Sequence, residues 1–232
     1  MLGIIGAMDV EVAEVKKSME QVTVETIAGM DFYRGILEGL QVVVVRSGIG
    51  KVNAAVCTQI LAGHYKVSAV INTGIAGSLK NEINIADVVL STDVVHHDMD
   101  ATGFGYPVGQ IPQMKEFSFP ADENLRTLAY NCCKEVNPEI GVFIGRVVSG
   151  DQFISDRVKK DWIHKTFGGS CTEMEGAAIA QTAYLNHIPF LIIRAISDKA
   201  DDSANMDYSE FEALAVKHSV NLILAIAKRY SF

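Results

Sequence analysis

Apolar positions fall along this chain in two rhythms. Short, nearly unbroken runs of Val, Ile and Leu occupy residues 2–5, 42–46, 69–72, 88–95, 142–148 and 190–196. Runs that are continuous rather than alternating predict strands covered on both faces. Between them lie longer amphipathic segments at residues 10–19, 52–64, 123–136, 156–166, 174–186 and 208–230, which predict helices. Strands alternating with helices imply a mostly parallel central sheet with helices on both sides. No linker, charge block, low-complexity tract or internal repeat marks a second unit, so the pattern predicts one α/β domain over residues 1–232. The one long irregular stretch, residues 96–120, carries Gly103, Gly105, Pro107, Gly109 and Pro112. Loops of that length in compact domains are functional or interfacial.

Composition narrows the function classes. Apolar residues make up 49% of the 232, enough for a large core, and 5 prolines interrupt them. A net charge of −8 lacks the basic footprint that nucleic-acid backbones require. No run approaches the roughly 20 apolar residues that span a bilayer. The first residues lack a basic stretch and run directly into a strand pattern, which predicts no signal peptide. Cys57, Cys132, Cys133 and Cys171 form no Cys-x-x-Cys pair, and reduced thiols in a cytoplasmic setting are expected.

Three glycine-bearing segments follow predicted strands: Gly6 to Glu11, Ser47 to Lys51, and Asn72 to Ser78. They read as strand-to-helix turns, and three of them at one end of a sheet also predict a ligand cleft. Neither the dinucleotide fingerprint nor a phosphate-binding P-loop is present, since Gly48-x-Gly50 is followed by Asn53 and Gly50-Lys51 by Val52. Acids cluster where apolar elements end. Glu11 stands just inside the first helix, Glu173 and Glu175 open the fifth, and Asp198 closes the run 190–196. Acids at helix N-termini are stabilised by the helix dipole, the plain reading of Glu11, Glu173 and Glu175. The chemical reading is a set of carboxylates with separate acid and base tasks. His96-His97-Asp98 could be taken for metal ligands, but adjacent histidines rarely converge on one ion, and no metal or cofactor is expected.

Several segments together resemble bacterial 5′-methylthioadenosine/S-adenosylhomocysteine nucleosidases of the nucleoside phosphorylase superfamily. They are Gly3-Ile-Ile-Gly-Ala-Met-Asp-Val-Glu-Val12, Ser47-Gly-Ile-Gly-Lys-Val-Asn53, Ile71-Asn-Thr-Gly74, Phe104-Gly-Tyr-x-x-Gly-Gln-Ile-Pro112, Val148-Ser-Gly-Asp-x-Phe153, Glu173-Met-Glu175 and Arg194-Ala-Ile-Ser-Asp198. The motifs stand in order over nearly the whole chain. The resemblance implies a single three-layer α/β/α domain with a twisted mixed sheet. It implies a homodimer that hydrolyses the N-glycosidic bond of 5′-methylthioadenosine and S-adenosylhomocysteine, releasing adenine. In that reading Glu11 activates water and Asp198 protonates N7 of the leaving base. Glu175 binds the ribose hydroxyls and Met174 packs on the sugar. Phe153 stacks on adenine, the Ile154 backbone reads its edge, and Gly77 lies in the purine-side loop. Arg194 and Ser197 position the water and Asp198. Met8, Ile49 and Tyr208 wall the sugar or its thio-substituent. Ala101, Phe104 and Pro112 close the neighbour's pocket.

For the acid role, desolvation at the end of an apolar run should raise the Asp198 pKa, while Glu175 should stay charged. The chain departs from the pattern at Ile75, where a serine that helps hold the water is usual, and at Asp9-Val10, which replaces a more acidic pair. Ile75 has no donor or acceptor. A phosphate-dependent purine nucleoside phosphorylase and an adenine-nucleoside-binding protein with weakened catalysis stay open beside the hydrolase, as do 5′-deoxyadenosine and futalosine-type substrates. The polar stretch before Met206, Tyr208 and Phe211 reads as a lid.

Overall fold

The computed structural model describes residues 1–230, apart from the side chains of residues 205–207, 209 and 210. Met206, one of the expected lid residues, therefore lies outside the described side chains. In chain order the elements are β1 (Leu2–Gly6), α1 (Asp9–Lys17), β2 (Glu20–Ile27), β3 (Met30–Leu37), β4 (Leu40–Arg46), α2 (Lys51–Gly63), β5 (Ala69–Ser78), β6 (Val88–His96), β7 (Phe119–Pro120), α3 (Glu123–Val136), β8 (Val142–Ser149), α4 (Arg157–Phe167), β9 (Cys171–Glu173), α5 (Gly176–Leu185), β10 (Phe190–Asp198) and α6 (Ala204–Arg229). A short 3-10 turn at Thr102–Phe104 and β7 are the regular pieces between β6 and α3.

One mixed sheet runs through the molecule. β1 pairs in parallel with β4 and β5, and β5 with β10, whereas β10–β6 and β5–β9 are antiparallel. The parallel pairs β6–β8 and β8–β9 then lead back to β5. The strands β5, β10, β6, β8 and β9 thus form a closed ring of pairings, and β1, β4, β3 and β2 extend it as an open wing. Side chains of successive residues point to opposite faces of a strand. Leu2, Ile4, Val42 and Val44 accordingly pack with α1, α3 and α6, while Ile5, Val43 and Val45 pack with α2 and α5. This two-sided burial is the reason the strands read as continuous apolar runs. A third, smaller cluster gathers Leu79, Val95, Val148, Ile163 and Phe167 under α4. Among the described residues no helix is long and apolar enough to cross a membrane.

One expectation is corrected here. The segment Asn72 to Ser78 is not a turn, because β5 continues to Ser78 and every one of its residues is buried. Pairing with β10 on one edge and with β9 at its end holds the glycines in extended backbone. Residues 20–39, where the sequence pattern predicts no element, are regular as well: β2 and β3 form a hairpin on the open edge of the wing. Its turn residues Ala28 and Gly29 both have positive φ, as a tight hairpin requires.

Candidate active site

The strands β1, β5, β9 and β10 end around a cavity of ≈ 440 Å³. Its walls include Glu11, Glu173, Glu175 and Asp198, together with Met8, Ile49, Ile75, Gly77, Phe153, Met174, Ser197 and Tyr208. Among the described residues, four carboxylates line it and no Lys, Arg or His does.

Glu11 is held by backbone alone. It is the third residue of α1, where helix N–H groups lack internal partners. Its Oε2 accepts from the N–H groups of Ala7 (2.6 Å) and Met8 (2.9 Å), and its Oε1 from the N–H of Ile75 (3.1 Å). A Cβ on Gly74 would stand 2.6 Å from that Oε1, so β5 needs glycine there to let the carboxylate in. Burial pushes the Glu11 carboxyl above its ordinary range, while Arg194 and the three N–H donors pull it back. A buried carboxyl raised toward neutrality suits a proton acceptor.

Asp198 ends β10. Its Oδ1 accepts from the Ala200 N–H (2.8 Å) and its Oδ2 from the Ser197 hydroxyl (2.9 Å). It is 2% exposed. A Cβ on Gly77 would meet Asp198 Oδ1 at 2.6 Å, which fixes the register of β5 against β10 at the cavity.

Glu173 and Glu175 are buried, unlike the solvated helix terminus that a plain reading of the sequence predicts. Glu173 accepts from Ser149 Oγ, from the N–H groups of Glu175 (3.2 Å) and Gly176 (2.8 Å), and from Arg194. Burial alone would push it up, but the Arg194 charge and these donors outweigh it and hold Glu173 below its usual range. Glu175 receives one N–H, from Gly50 at 2.9 Å, and its other oxygen lies 3.9 Å from Arg194. Burial, and then the adjacent Glu173 charge, push Glu175 up to about 7. It is therefore half protonated near neutrality rather than fully charged. Two donor hydroxyls on a ligand would favour its ionised form.

Arg194 stands behind the wall rather than in it. Its Nε donates to Glu173 (3.1 Å), and Nη2 donates to Asn72 Oδ1 and Glu173. Nη1 donates to the Ile193 carbonyl (3.1 Å). Asn72, Ser149 and the Glu173–Arg194 pair form a buried brace that the sequence reading did not assign. Its signal was available: polar residues inside the apolar runs of β5, β8 and β10.

Tyr208 reaches the cavity from α6, where its hydroxyl contacts Met8 Sδ (3.3 Å) and Glu212 Oε1 (2.9 Å). Phe153 meets the Tyr208 ring edge-on at 6.0 Å. Ile154 is buried beside a smaller space of ≈ 30 Å³ that shares Gly77, Phe153 and Asp198 with the main cavity. Ala101, Phe104 and Pro112 do not line this chain's cavity; Ala101 is buried and Phe104 is 87% exposed. His96 meets Gln181 at 3.0 Å, and Asp98 pairs with Lys51.

Residues 1–228 match the sequence profile of the phosphorylase superfamily. The 5′-methylthioadenosine/S-adenosylhomocysteine nucleosidase of Bacillus cytotoxicus is 42% identical over 228 residues, covering 98% of each chain. The structure of the Neisseria meningitidis nucleosidase of that name, in complex with methylthio-immucillin-A, superposes with a TM-score of 0.95 at 38% identity, over 99% of each chain. A native structure of the Helicobacter pylori futalosine hydrolase gives a TM-score of 0.93 at 29% identity, covering 99% of this chain and 97% of that one. With that level of identity over its whole length, the chain belongs to the 5′-methylthioadenosine/S-adenosylhomocysteine nucleosidase family of the phosphorylase superfamily.

Proposed function

We propose that this chain hydrolyses the N-glycosidic bond of 5′-methylthioadenosine and S-adenosylhomocysteine, releasing adenine and the 5′-thio-substituted ribose. The observation that carries the reading is a cavity whose described lining has four carboxylates, an apolar wall and no basic side chain. Glycoside cleavage builds positive charge on the sugar, which carboxylates stabilise. A phosphate nucleophile needs cationic donors. Arg194, whose charge acts on Glu11 and Glu175, is committed to Glu173 and Asn72. Water is therefore favoured over phosphate as nucleophile.

Glu11 takes a proton from water as its oxygen attacks the anomeric carbon. The C–N bond breaks, its electron pair goes to the adenine, and Asp198 gives a proton to N7. Glu175 accepts from the 2′- and 3′-hydroxyls in its ionised form. Met174 packs on the sugar, Phe153 stacks on the base, and the Ile154 backbone reads its edge beside Gly77. Ser197 orients Asp198 through its 2.9 Å hydrogen bond, and Arg194 acts on the water through the charge it places on Glu11 and Glu175. Met8, Ile49 and Tyr208 wall the thio-substituent. Ile75 supplies no hydroxyl to the water, yet its N–H still orients Glu11.

The working unit in this reading is a homodimer, in which Ala101, Phe104 and Pro112 close the partner's cavity. The exposed apolar side chains of Phe104 (87%), Ile49 and Phe153 support it. The four buried free thiols fit a reducing cytoplasmic setting.

Adenine release from 5′-methylthioadenosine, S-adenosylhomocysteine, 5′-deoxyadenosine and a futalosine-type nucleoside, with and without phosphate, tests the proposal. Equal release from the two thionucleosides with and without phosphate, with free thioribose as co-product, is expected. A ribose 1-phosphate formed only with phosphate would make it a phosphorylase. Nucleoside binding without adenine release would leave a binding protein.

A further inference from the structure

Four distant segments meet at the turn between β4 and α2. Asp98, just beyond β6, places Oδ1 2.6 Å from Lys51 Nζ, and its Oδ2 accepts from the Asp151 N–H at 3.0 Å. The Asp151 side chain in turn accepts from the Lys51 N–H at 2.8 Å. The next N–H along, that of Gly50, donates to Glu175 at 2.9 Å. Helix α2 has no acidic residue in its own first turn. Its leading N–H groups are satisfied instead by carboxylates 100 and 125 residues away. The Asp98–Lys51 pair is mostly buried, with side-chain exposures of 15% and 20%, so solvent screens it less than a surface pair. Burial would push Asp98 up, but Lys51 and the Asp151 N–H outweigh it and keep the group charged through the neutral range.

The geometry points to Asp98 as a positioning residue for the reaction proposed above: through Lys51 and Asp151 it fixes the turn 48–51, so that the Gly50 N–H stays on Glu175 and Ile49 stays in the cavity wall. The inference rests on that reading of Glu175 as the ribose-binding carboxylate. Asp98 is not among the residues that line the cavity, which separates it from Glu11, Glu175 and Asp198.

The consequence is a defined pH effect. The Gly50 N–H favours the ionised form of Glu175. Other charged groups facing Glu175 are Glu173 from β9, Arg194 from β10 and Glu11 from α1, none of which belongs to the latch of Asp98, Lys51 and Asp151. His97, beside Asp98, is pushed down to about 4 by burial and is neutral across the neutral range. Breaking the latch therefore raises the pH below which Glu175 takes up a proton, and leaves the donors of Glu11 in place.

Asp98→Asn, Lys51→Gln and Lys51→Arg test this. For each folded variant, checked by thermal melting, kcat and KM for adenine release from 5′-methylthioadenosine are measured between pH 5 and pH 9. Inhibition by adenine, which carries no ribose, is measured in parallel. Asp98→Asn and Lys51→Gln should raise KM about tenfold, the effect of losing one hydrogen bond to a charged group. They should also move the acid limb of kcat/KM up by about one pH unit, with adenine inhibition unchanged. Lys51→Arg should retain native behaviour. A native KM and acid limb in folded Lys51→Gln overturns the inference. So does an equal weakening of adenine and nucleoside, which is the mark of a general structural loss. If the unaltered enzyme releases no adenine, the reaction reading fails instead. The latch is then judged by whether the variants weaken nucleoside binding and spare adenine.

Discussion

Replacing Glu175 by glutamine isolates the cost of keeping a carboxylate in this wall. In the native chain burial, then the charge of Glu173, push its carboxyl from 4.5 up to about 7. Between those values the folded chain holds a proton that the unfolded chain has released. Stability from this group is therefore fully present below pH 4.5, declines as pH rises toward 7, and is gone above it. At about 1.4 kcal/mol for each pH unit, the whole decline is about 3 kcal/mol. Glutamine carries no charge, and its carbonyl oxygen can still accept the Gly50 N–H. Glu175→Gln should match the native protein near pH 4.5 and exceed it by about 3 kcal/mol at pH 8. For a chain of this length that is about 6–12 °C in Tm. Calorimetric melts of both proteins at pH 5, 6, 7 and 8 read it directly, since the difference between them cancels groups that titrate alike in both. A Tm difference that does not grow between pH 5 and pH 7 refutes the argument. Ribose binding should weaken in the same variant, because a strained site trades stability for function.

Asp198→Asn should lower adenine release by about 10² to 10⁴-fold, the usual weight of a positioned acid. Its amide oxygen can still accept the Ala200 N–H, so binding of an unreacted nucleoside should persist by calorimetry; native turnover would remove Asp198 as the acid. Arg194→Met leaves Glu173 buried among acids and should lower unfolding stability in urea by about 3–5 kcal/mol. The double variant Arg194→Met with Glu173→Met should recover part of that, and equal losses in the two would show that the ion pair is not what the site needs.

Much of the frame was legible because burial on both faces writes itself as continuous apolar runs. The run at 42–46 is β4, with Val42 and Val44 on one face and Val43 and Val45 on the other. The β2–β3 hairpin escaped that reading because β2 is an exposed edge with polar residues at most positions. Its turns were nonetheless marked. Ala28-Gly29 and Glu38-Gly39, ten residues apart, all have positive φ, although neither pair is the Asn-Gly or Asp-Gly that signals a hairpin most strongly. β9, three residues long, is too short for any periodicity to register. Gly74 and Gly77 read as turn punctuation, whereas their roles are to admit Glu11 and Asp198 beside an extended strand. A missing side chain looks the same in sequence whether the space is needed for a turn or for a neighbour.

The site carboxylates were legible as acids at the ends of apolar elements; their unequal environments were not. Glu173 and Glu175 are two residues apart and belong to different electrostatic worlds. The first has Arg194, Ser149 and two N–H groups, and the second has the Gly50 N–H and a more distant Arg194. That difference depends on Arg194 of β10 reaching Glu173 at the end of β9, two strands that do not pair with each other but both pair with β5. The ring of pairings through β5 is thus what brings the arginine to one acid and holds it 3.9 Å from the other. It holds Glu173 low, and Glu173's charge in turn helps push Glu175 up to about 7. Removing the Arg194–Glu173 pair would therefore be felt at Glu175 as well as in stability. The brace behind the wall sets the protonation of the wall itself.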